Sequence, residues 1–180
     1  MVKTEFAVIG GSYAGLSAAL QLARARRDVT VVDAGLRRNR FVDKAGGTSH
    51  GFLSRDGVAP GAIAAEARRQ LLRYPTVRWL DGLAEEASQR EDGRFGFRVG
   101  GESVDAARLV LATGVRDELP PVSGLAERWG QSIFHCPYCH GYELDNGAIG
   151  IIATSELAHH HAIMLPDWGR PTLFLNDVYR

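Results

Sequence analysis

The first 33 residues combine two short apolar runs with one amphipathic stretch. Residues 6–9 are apolar, end in two glycines and predict a buried strand. Residues 14–26 carry apolar side chains at positions 16, 19, 20 and 23, the spacing of one helical face. Residues 29–32 are mostly β-branched and predict a second strand, which stops at Asp33. A strand, glycine turn, helix and strand in this order predict a right-handed crossover and a parallel sheet.

The later pattern predicts further elements of the same kind. In chain order they are a long loop over 36–58, a helix over 60–74, a strand over 77–80, two or three short strands within 82–106, a buried strand over 109–112, a linker near 120–124, a strand over 148–153, a helix over 155–165 and a strand over 172–175. The strands within 82–106 suggest a small antiparallel insertion. We therefore predict an α/β, doubly wound, Rossmann-like domain over 1–118, followed by a redox segment and the start of a second such domain over 119–180.

Composition narrows the function class. Lysine plus arginine and aspartate plus glutamate number 21 each, so the zero net charge gives no argument for nucleic acid or an anionic membrane. No apolar run approaches the roughly 20 residues of a membrane span, and the N-terminus lacks the features of a signal peptide. We expect a soluble, cytoplasmic protein. Two cysteines alone exclude a disulfide-stapled mini-domain.

The first glycine turn is a candidate phosphate site. Gly10-Gly11-Ser12-Tyr13-Ala14-Gly15 lies between a predicted strand and a predicted helix, where backbone N–H groups can approach a pyrophosphate. Ser12 replaces the middle glycine of the usual G-x-G-x-x-G pattern. Asp33 ends the next strand, where an acidic side chain can accept hydrogen bonds from a ribose. The turn thus predicts dinucleotide binding, although an unrelated α/β protein could carry similar glycines.

The second candidate is the pair Cys136-Pro137-Tyr138-Cys139, flanked by His135 and His140. Two intervening residues allow a small disulfide ring when the first cysteine caps a helix, and an imidazole can move protons near neutral pH. Three alternatives remain. A zinc site would use the same ligand types, but the four residues are crowded for one tetrahedral ion. A glutaredoxin-like domain would carry its pair soon after the first strand, and two structural thiols would not need this spacing.

Other residues are weaker candidates. Leu111-Ala112-Thr113-Gly114 follows a predicted strand, and its small residues could let a cofactor pass close to the backbone. His50 lies in the glycine-rich loop and could face a cofactor or solvent. Three arginines after Asp33 could contact a phosphate or only solvent: Arg37, Arg38 and Arg40. His159–His161 are expected on a solvated helix face, because successive helical residues point in different directions.

Taken together, these motifs resemble the thioredoxin reductase-like flavoproteins, which are disulfide oxidoreductases with two dinucleotide-binding domains. Four segments carry the resemblance: I-G-G-S-Y-A-G-L-S-A-A-L, V-V-D-A-G, L-A-T-G and H-C-P-Y-C-H-G-Y-E. The resemblance implies FAD bound by the first glycine turn and by segments around Asp33 and Thr113. The cofactor contacts that we expect are Gly10, Ser12, Tyr13, Ala14, Gly15, Asp33, Ala34, Gly35, Arg40, His50, Thr113 and Gly114.

The resemblance also implies roles for the redox residues. Cys139 would lie against the flavin, Cys136 would be the interchange thiol and His140 would stand where typical thioredoxin reductases carry an aspartate acid/base. Histidine at this position, followed by Gly-Tyr-Glu, looks like the dithiol oxidase branch, the gliotoxin and holomycin type. The implied substrate is a small dithiol or disulfide, or a thioredoxin-like protein, and the implied assembly is a homodimer.

Two departures from the family separate the possible activities. The turn over 150–155 reads Gly-Ile-Ile-Ala-Thr-Ser and lacks the G-x-G-x-x-A pattern of the NADPH-binding domain. The C-terminal glycine–aspartate segment near the flavin is also missing, which predicts an incomplete chain or a partner that supplies it. We therefore expect a FAD-dependent dithiol oxidase that does not use NADPH. An NADPH-dependent thioredoxin reductase and a non-catalytic zinc- or flavin-binding module remain as alternatives.

Overall fold

The computed structural model of the chain describes residues 1–174. By their internal contacts, these residues form two compact units. The first unit comprises Met1–Arg40 and Pro60–Arg116, and the second comprises Phe41–Ala59 and the chain from Asp117 onward. The segment 41–59, which the sequence analysis assigned to the first functional domain, therefore packs with the later residues.

The secondary structure follows the predicted order. The strands are β1 (Val2–Ile9), β2 (Val29–Asp33), β3 (Val77–Asp81), β4 (Ala84–Gln89), β5 (Phe95–Val99), β6 (Glu102–Leu111), β7 (Ala148–Ile152) and β8 (Arg170–Phe174). The helices are α1 (Tyr13–Arg24), α2 (Arg40–Lys44), α3 (Pro60–Leu71), α4 (Leu125–Arg128), α5 (Pro137–His140) and α6 (Leu157–Met164). Single 3₁₀ turns follow α5 and α6, over Tyr142–Leu144 and Leu165–Asp167.

A six-stranded sheet forms the centre of the first unit, in the order β3-β2-β1-β6-β5-β4. Strands β3, β2, β1 and β6 are parallel, whereas β4, β5 and β6 are antiparallel neighbours. This arrangement confirms the predicted α/β fold. The order reverses between β1 and β6, and in open parallel sheets such a switch point is where ligands bind, at the carboxyl ends of the strands.

Two apolar clusters hold this sheet. One includes Val8, Val31 and Leu71 with the buried face of α1, and the other includes Val104 and Phe97. Strand β2 is almost completely buried along its length, which is expected for a central parallel strand covered on both faces. The rigid sheet therefore fixes the positions of the turns that follow β1, β2 and β6.

The second unit has a smaller core. Its β7 and β8 pair in parallel, and their buried cluster contains only Ile151, Ala153 and Ala158 among the described residues. Helix α6 begins and ends within two residues of the predicted helix. The predicted strand over 172–175 is found as β8, except that residue 175 lies outside the described residues.

Two sequence predictions differ from the structure. The separate buried strand over 109–112 was wrong, because it is the end of β6, which runs continuously from Glu102. Residues 102–106 of this strand pair with β5 and residues 104–111 pair with β1, so one strand joins the insertion to the parallel sheet. Leu111 is exposed, not buried. The predicted loop over 36–58 also contains the short helix α2.

Candidate functional site

The glycine turn is built by close backbone packing. Gly10 has φ +107°, which favours glycine, and its N–H donates to the carbonyl of Val32. A Cβ added to Gly10 would overlap the carbonyl oxygen of Ala112, and one added to Gly15 would overlap the carbonyl oxygen of Gly10. Helix α1 can therefore approach the turn only because Gly15 has no side chain, the role of the third glycine in dinucleotide-binding turns.

Trp79 packs beneath the second glycine. A Cβ on Gly11 would clash with the indole ring of Trp79 and would lie 2.7 Å from the Cβ of Asp33. The indole N–H donates to Asp81 at 2.9 Å, and the guanidinium of Arg68 lies 4.2 Å from the ring centroid. These hydrogen bonds from Trp79 and Arg68 hold the pKa of Asp81 below its usual value. The sequence analysis missed Trp79; the only signal was its place on the strand next to β2.

Asp33 ends β2 beside this turn. Its Oδ1 accepts a hydrogen bond from the N–H of Gly35 at 3.2 Å, an Asx turn that holds the carboxylate at the sheet edge. Gly35 has φ +69° and no atom near a would-be Cβ, so the backbone here is open. Ala34 is exposed.

Thr113 and Gly114 lie at the carboxyl end of β6, across the switch point from the glycine turn. The N–H of Ala112 donates to the carbonyl of Ile9 at 2.8 Å, which brings the two strand ends together. Thr113 and Gly114 are exposed, and Gly114 has φ +69°. The sheet therefore presents two small-residue turns side by side.

The start of α1 completes this edge. Ser12 is the N-cap residue in an extended conformation, and its hydroxyl makes no capping bond. The hydroxyl of Tyr13 donates to the carbonyl of Pro60 at 3.2 Å, which ties α1 to the start of α3. Ala14 is exposed. Because the first N–H groups of a helix lack intrahelical acceptors, the start of α1 can donate hydrogen bonds to an anionic group such as a phosphate.

Arg40 and His50 were predicted to contact the cofactor. In the structure, both side chains contact other residues of the protein. The Arg40 guanidinium donates to the carbonyls of Leu36 and Arg37, each at 2.8 Å, and so braces the loop after β2. His50 belongs to the second unit, where its ring contacts Thr48, Asp56 and Glu143. Their roles toward a cofactor stay predictions.

The cysteine pair occupies one turn of helix in the second unit. Cys136 is the N-cap residue of α5, the position in which two intervening residues allow a small disulfide ring, and Pro137 takes the first helical position. The N–H of Cys139 donates to the carbonyl of Cys136 at 3.3 Å. Cys136 therefore stands at the start of this turn and Cys139 within it. No disulfide joins them in this structure; Cys136 is half-buried and Cys139 is exposed.

His140 ends the same helix and lies against an aromatic ring. Its imidazole stacks on Phe134 with centroids 4.0 Å apart and planes 12° apart. Its Nδ1 is buried and has no hydrogen bond of ordinary geometry among the described residues. Burial lowers the pKa of His140, against the raising effects of the Glu143 charge and the nearby Cys136 carbonyl, while the charge of His50 lowers it further.

Within residues 1–174, no three His, Cys, Asp or Glu side chains are arranged to hold a metal ion. The same range contains no helix that is both long enough and apolar enough to cross a bilayer.

Comparisons with known proteins agree with this geometry. The family model described as pyridine nucleotide-disulphide oxidoreductase matches residues 4–161. Thioredoxin reductase tcpT of Claviceps purpurea is 38% identical over 156 residues, which cover 84% of this chain and 47% of that protein. The chain spans about half the length of this curated relative.

Solved structures give the same result. An oxidoreductase from Agrobacterium tumefaciens is 57% identical, with a TM-score of 0.92. The match covers 99% of this chain and 59% of the chain of that oxidoreductase. A putative thioredoxin reductase, TrxB from Bacillus anthracis, is 30% identical, with a TM-score of 0.89. The match covers 97% of this chain and 60% of the TrxB chain. The chain thus belongs to the pyridine nucleotide-disulphide oxidoreductase family.

Proposed function

We propose that the chain is part of a FAD-dependent thiol–disulfide oxidoreductase of the dithiol oxidase type. Membership of the family implies a flavin cofactor. The observation that carries the proposal is the single turn of helix that brings Cys136, Cys139 and His140 together, with Cys136 at its N-cap. A pair of this kind can open and close a disulfide without moving the backbone far.

The first unit would hold the cofactor. The glycine turn and the start of α1 face the pyrophosphate, Asp33 accepts from the ribose, and Thr113 and Gly114 line the neighbouring strand end. When bound, the flavin supplies a two-electron acceptor that can be reoxidised by oxygen. The rest of the reaction depends on side chains of this chain.

The thiol chemistry is a two-electron exchange. In the oxidised enzyme, a substrate thiolate attacks Cys136 of the Cys136–Cys139 disulfide, forms a mixed disulfide and releases the Cys139 thiolate. The second substrate thiolate then attacks the mixed disulfide, leaves as a cyclic or linear disulfide and releases the Cys136 thiolate. His140 accepts a proton from the attacking thiol, because its lowered pKa keeps the ring neutral near pH 7. Electrons leave the dithiol pair through Cys139.

The turn after β7 favours the oxidase over the NADPH-dependent reductase. The residues between β7 and α6 are Ala153 to Glu156, and this connection contains no glycine. Gly150 lies inside β7. A pyrophosphate needs a close backbone approach at such a turn, so this connection is poorly suited to a second dinucleotide. The thioredoxin reductase names of the relatives favour the alternative, a thioredoxin-type disulfide as substrate. A homodimer and a cytoplasmic location stay predictions.

Anaerobic reduction of the flavin tests this proposal. The purified flavoprotein is mixed with dithiothreitol in one experiment and with NADPH in another, and the flavin absorbance is followed. We expect the dithiol to bleach the flavin within seconds, air to restore the colour and NADPH to act at least 100-fold more slowly. Fast bleaching by NADPH would instead support the thioredoxin reductase alternative. Bleaching by neither reagent would support a non-catalytic module.

A further inference from the structure

Helix α5, which carries the cysteine pair, packs against the indole ring of Trp168. A Cβ added to Gly141, the residue after His140, would lie 2.4 Å from Cδ1 of Trp168 and 2.5 Å from the carbonyl oxygen of Pro137. Gly141 has φ −71° and ψ −33°, an ordinary helical conformation that other residues adopt freely. Glycine is therefore required here by the lack of space beside the indole ring and the Pro137 carbonyl, and not by the backbone conformation.

The same indole ring contacts Tyr138, which lies between the two cysteines. The ring centroids of Tyr138 and Trp168 are 5.0 Å apart, and the ring planes are 82° apart. This is the edge-to-face arrangement that aromatic pairs prefer. Gly141 is buried, whereas Tyr138 is 72% exposed. One indole ring thus contacts both the middle of α5 and the residue that follows its last position.

The backbone of Trp168 is held by the strands of the second unit. Its N–H donates to the carbonyl of Leu165 at 2.9 Å, in the 3₁₀ turn before β8. A Cβ added to Gly169 would lie 2.5 Å from the carbonyl oxygen of Gly147, and the same carbonyl accepts the N–H of Arg170 at 2.9 Å. Trp168 therefore joins α5 to the pair formed by β7 and β8, and all of these residues belong to the second unit.

The turn that the indole ring supports sets the spacing of the two cysteines. The N–H of Cys139 donates to the carbonyl of Cys136 at 3.3 Å, which closes a four-residue turn. The end Cα atoms of such a turn lie within about 7 Å of each other, and a disulfide spans Cα atoms about 4.4 to 6.8 Å apart. A backbone that keeps this turn can therefore form the disulfide without a large movement.

We propose that Trp168 is a positioning residue for the cysteine pair: its indole ring, packed against Gly141 and Tyr138, holds the turn in which Cys136 and Cys139 are close enough to form a disulfide. This inference rests on the proposed function, in which that disulfide opens and closes in each turnover. Holding two reacting groups in place raises their effective concentration. A mixed disulfide on one cysteine should therefore be attacked quickly by the other.

Reaction of the reduced pair with glutathione disulfide isolates this step. One thiolate of the pair attacks glutathione disulfide, forms a mixed disulfide and releases one glutathione thiolate. The second thiolate of the pair attacks the protein sulfur of the mixed disulfide, which closes the Cys136–Cys139 bond and releases the second glutathione. The pair loses two electrons to glutathione disulfide, and the two protons of its thiols end on the two glutathione thiols. Only the second step depends on the spacing of the two cysteines.

Mass spectrometry of the intact protein measures the lifetime of the mixed disulfide. The purified flavoprotein is reduced with dithiothreitol, freed of it under nitrogen, mixed with excess glutathione disulfide and quenched with acid at successive times. The variants are Trp168→Ala and Trp168→Phe, and the matched control is Leu173→Ala. Leu173 packs against the buried cluster of the second unit, so its truncation destabilises the same unit and leaves the indole ring in place.

The lifetime should depend on the ring at position 168. We expect Trp168→Ala to lengthen the lifetime of the mixed disulfide by about 10-fold, because the turn is no longer held. Trp168→Phe keeps an aromatic ring against Tyr138 and should restore most of the closure rate. Leu173→Ala should lower the Tm without lengthening the lifetime. An unchanged lifetime in Trp168→Ala, or an equal increase in Leu173→Ala, would overturn the proposal. If Trp168→Ala does not fold, Trp168→Leu takes its place with the same expectation.

Failure of this inference and failure of the proposed function give different results. If the unmodified protein forms no Cys136–Cys139 disulfide with excess glutathione disulfide, the pair is not redox-active, and the proposed function fails together with the role of Trp168. If the unmodified protein closes the disulfide and Trp168→Ala closes it equally fast, the proposed function stands and only the positioning role of Trp168 is lost.

Discussion

The glycine turn and the cysteine pair are built in different ways. The turn depends on backbone atoms, because Gly10 and Gly15 leave no room for a side chain between β1, β6 and α1. The pair depends on side chains carried by a four-residue helix in a unit with a small core. Substitutions in the glycine turn should therefore act by steric exclusion of the cofactor and by loss of packing. Substitutions in the cysteine pair should act by changing the thiol chemistry.

The largest effect is expected at Gly15. In Gly15→Ala, the added methyl group overlaps the carbonyl oxygen of Gly10, so α1 must move away from the turn. We expect complete loss of bound flavin and a lower Tm, measured by the flavin-to-protein absorbance ratio and by thermal unfolding. Ser17→Ala, on the exposed side of α1, should keep its flavin. Normal flavin content in Gly15→Ala would show that the turn is not the cofactor site.

A smaller effect is expected at Asp33. Asp33→Ala removes a charge-assisted hydrogen bond to the ribose, of order 1.5–3 kcal/mol, so the Kd for FAD should rise by about 10-fold to 150-fold. Asp33→Asn can still accept from Gly35 and should lose less. Titration of the apoprotein with FAD measures both values. An affinity for FAD within twofold of that of the unmodified protein would mean that Asp33 forms the Asx turn but does not contact the ribose.

The smallest effect is expected at a buried acid of the central sheet. Hydrogen bonding from Arg94, supported by the charges of Arg94 and Arg90, holds the pKa of Asp105 below its usual value despite opposing burial. A depressed carboxyl pKa stabilises the fold above about pH 3.9, the unfolded value, and this contribution is lost as the pH falls through the folded value.

Asp105→Asn should therefore lower the Tm at pH 7 by a few degrees, about what one lost interaction produces in a domain of this size. The difference from the unmodified protein should shrink below about pH 4. Thermal unfolding measured between pH 3 and 7 checks this. Flavin content should be unchanged, because Asp105 pairs with Lys3, far along β1 from the glycine turn. A constant difference at every pH would contradict the ion-pair explanation.

Much of the first unit was predictable from local patterns. The spacing of apolar residues identified α1 and α3. The glycines identified the turn, because a backbone position with no room for a Cβ requires glycine. The continuity of β6 was not predictable: exposed Arg108 interrupts its apolar pattern, and only the pairing with β1 shows that the strand runs on. Hydrogen bonds to β1, which is distant in the sequence, therefore determine the length of β6.

The second unit was predictable in its motif and less so in its contacts. The C-x-x-C spacing identified the cysteine pair, but the single helical turn that begins after Cys136 was not predicted. The contact of His50 with Glu143 joins distant segments through side chains, and no local pattern encodes such a pairing. The only sequence signal was an acid three residues after His140, which nothing linked to the loop.

The spectra of the two single cysteine variants test the central claim most directly. Cys136→Ser should leave a thiolate at Cys139 beside oxidised flavin, which gives a long-wavelength absorption band that strengthens as the thiol ionises. Cys139→Ser should lack this band, and both variants should lose turnover because disulfide exchange needs the pair. A band in Cys139→Ser alone would reverse the assigned roles. Normal turnover in both variants would contradict the thiol–disulfide oxidoreductase account.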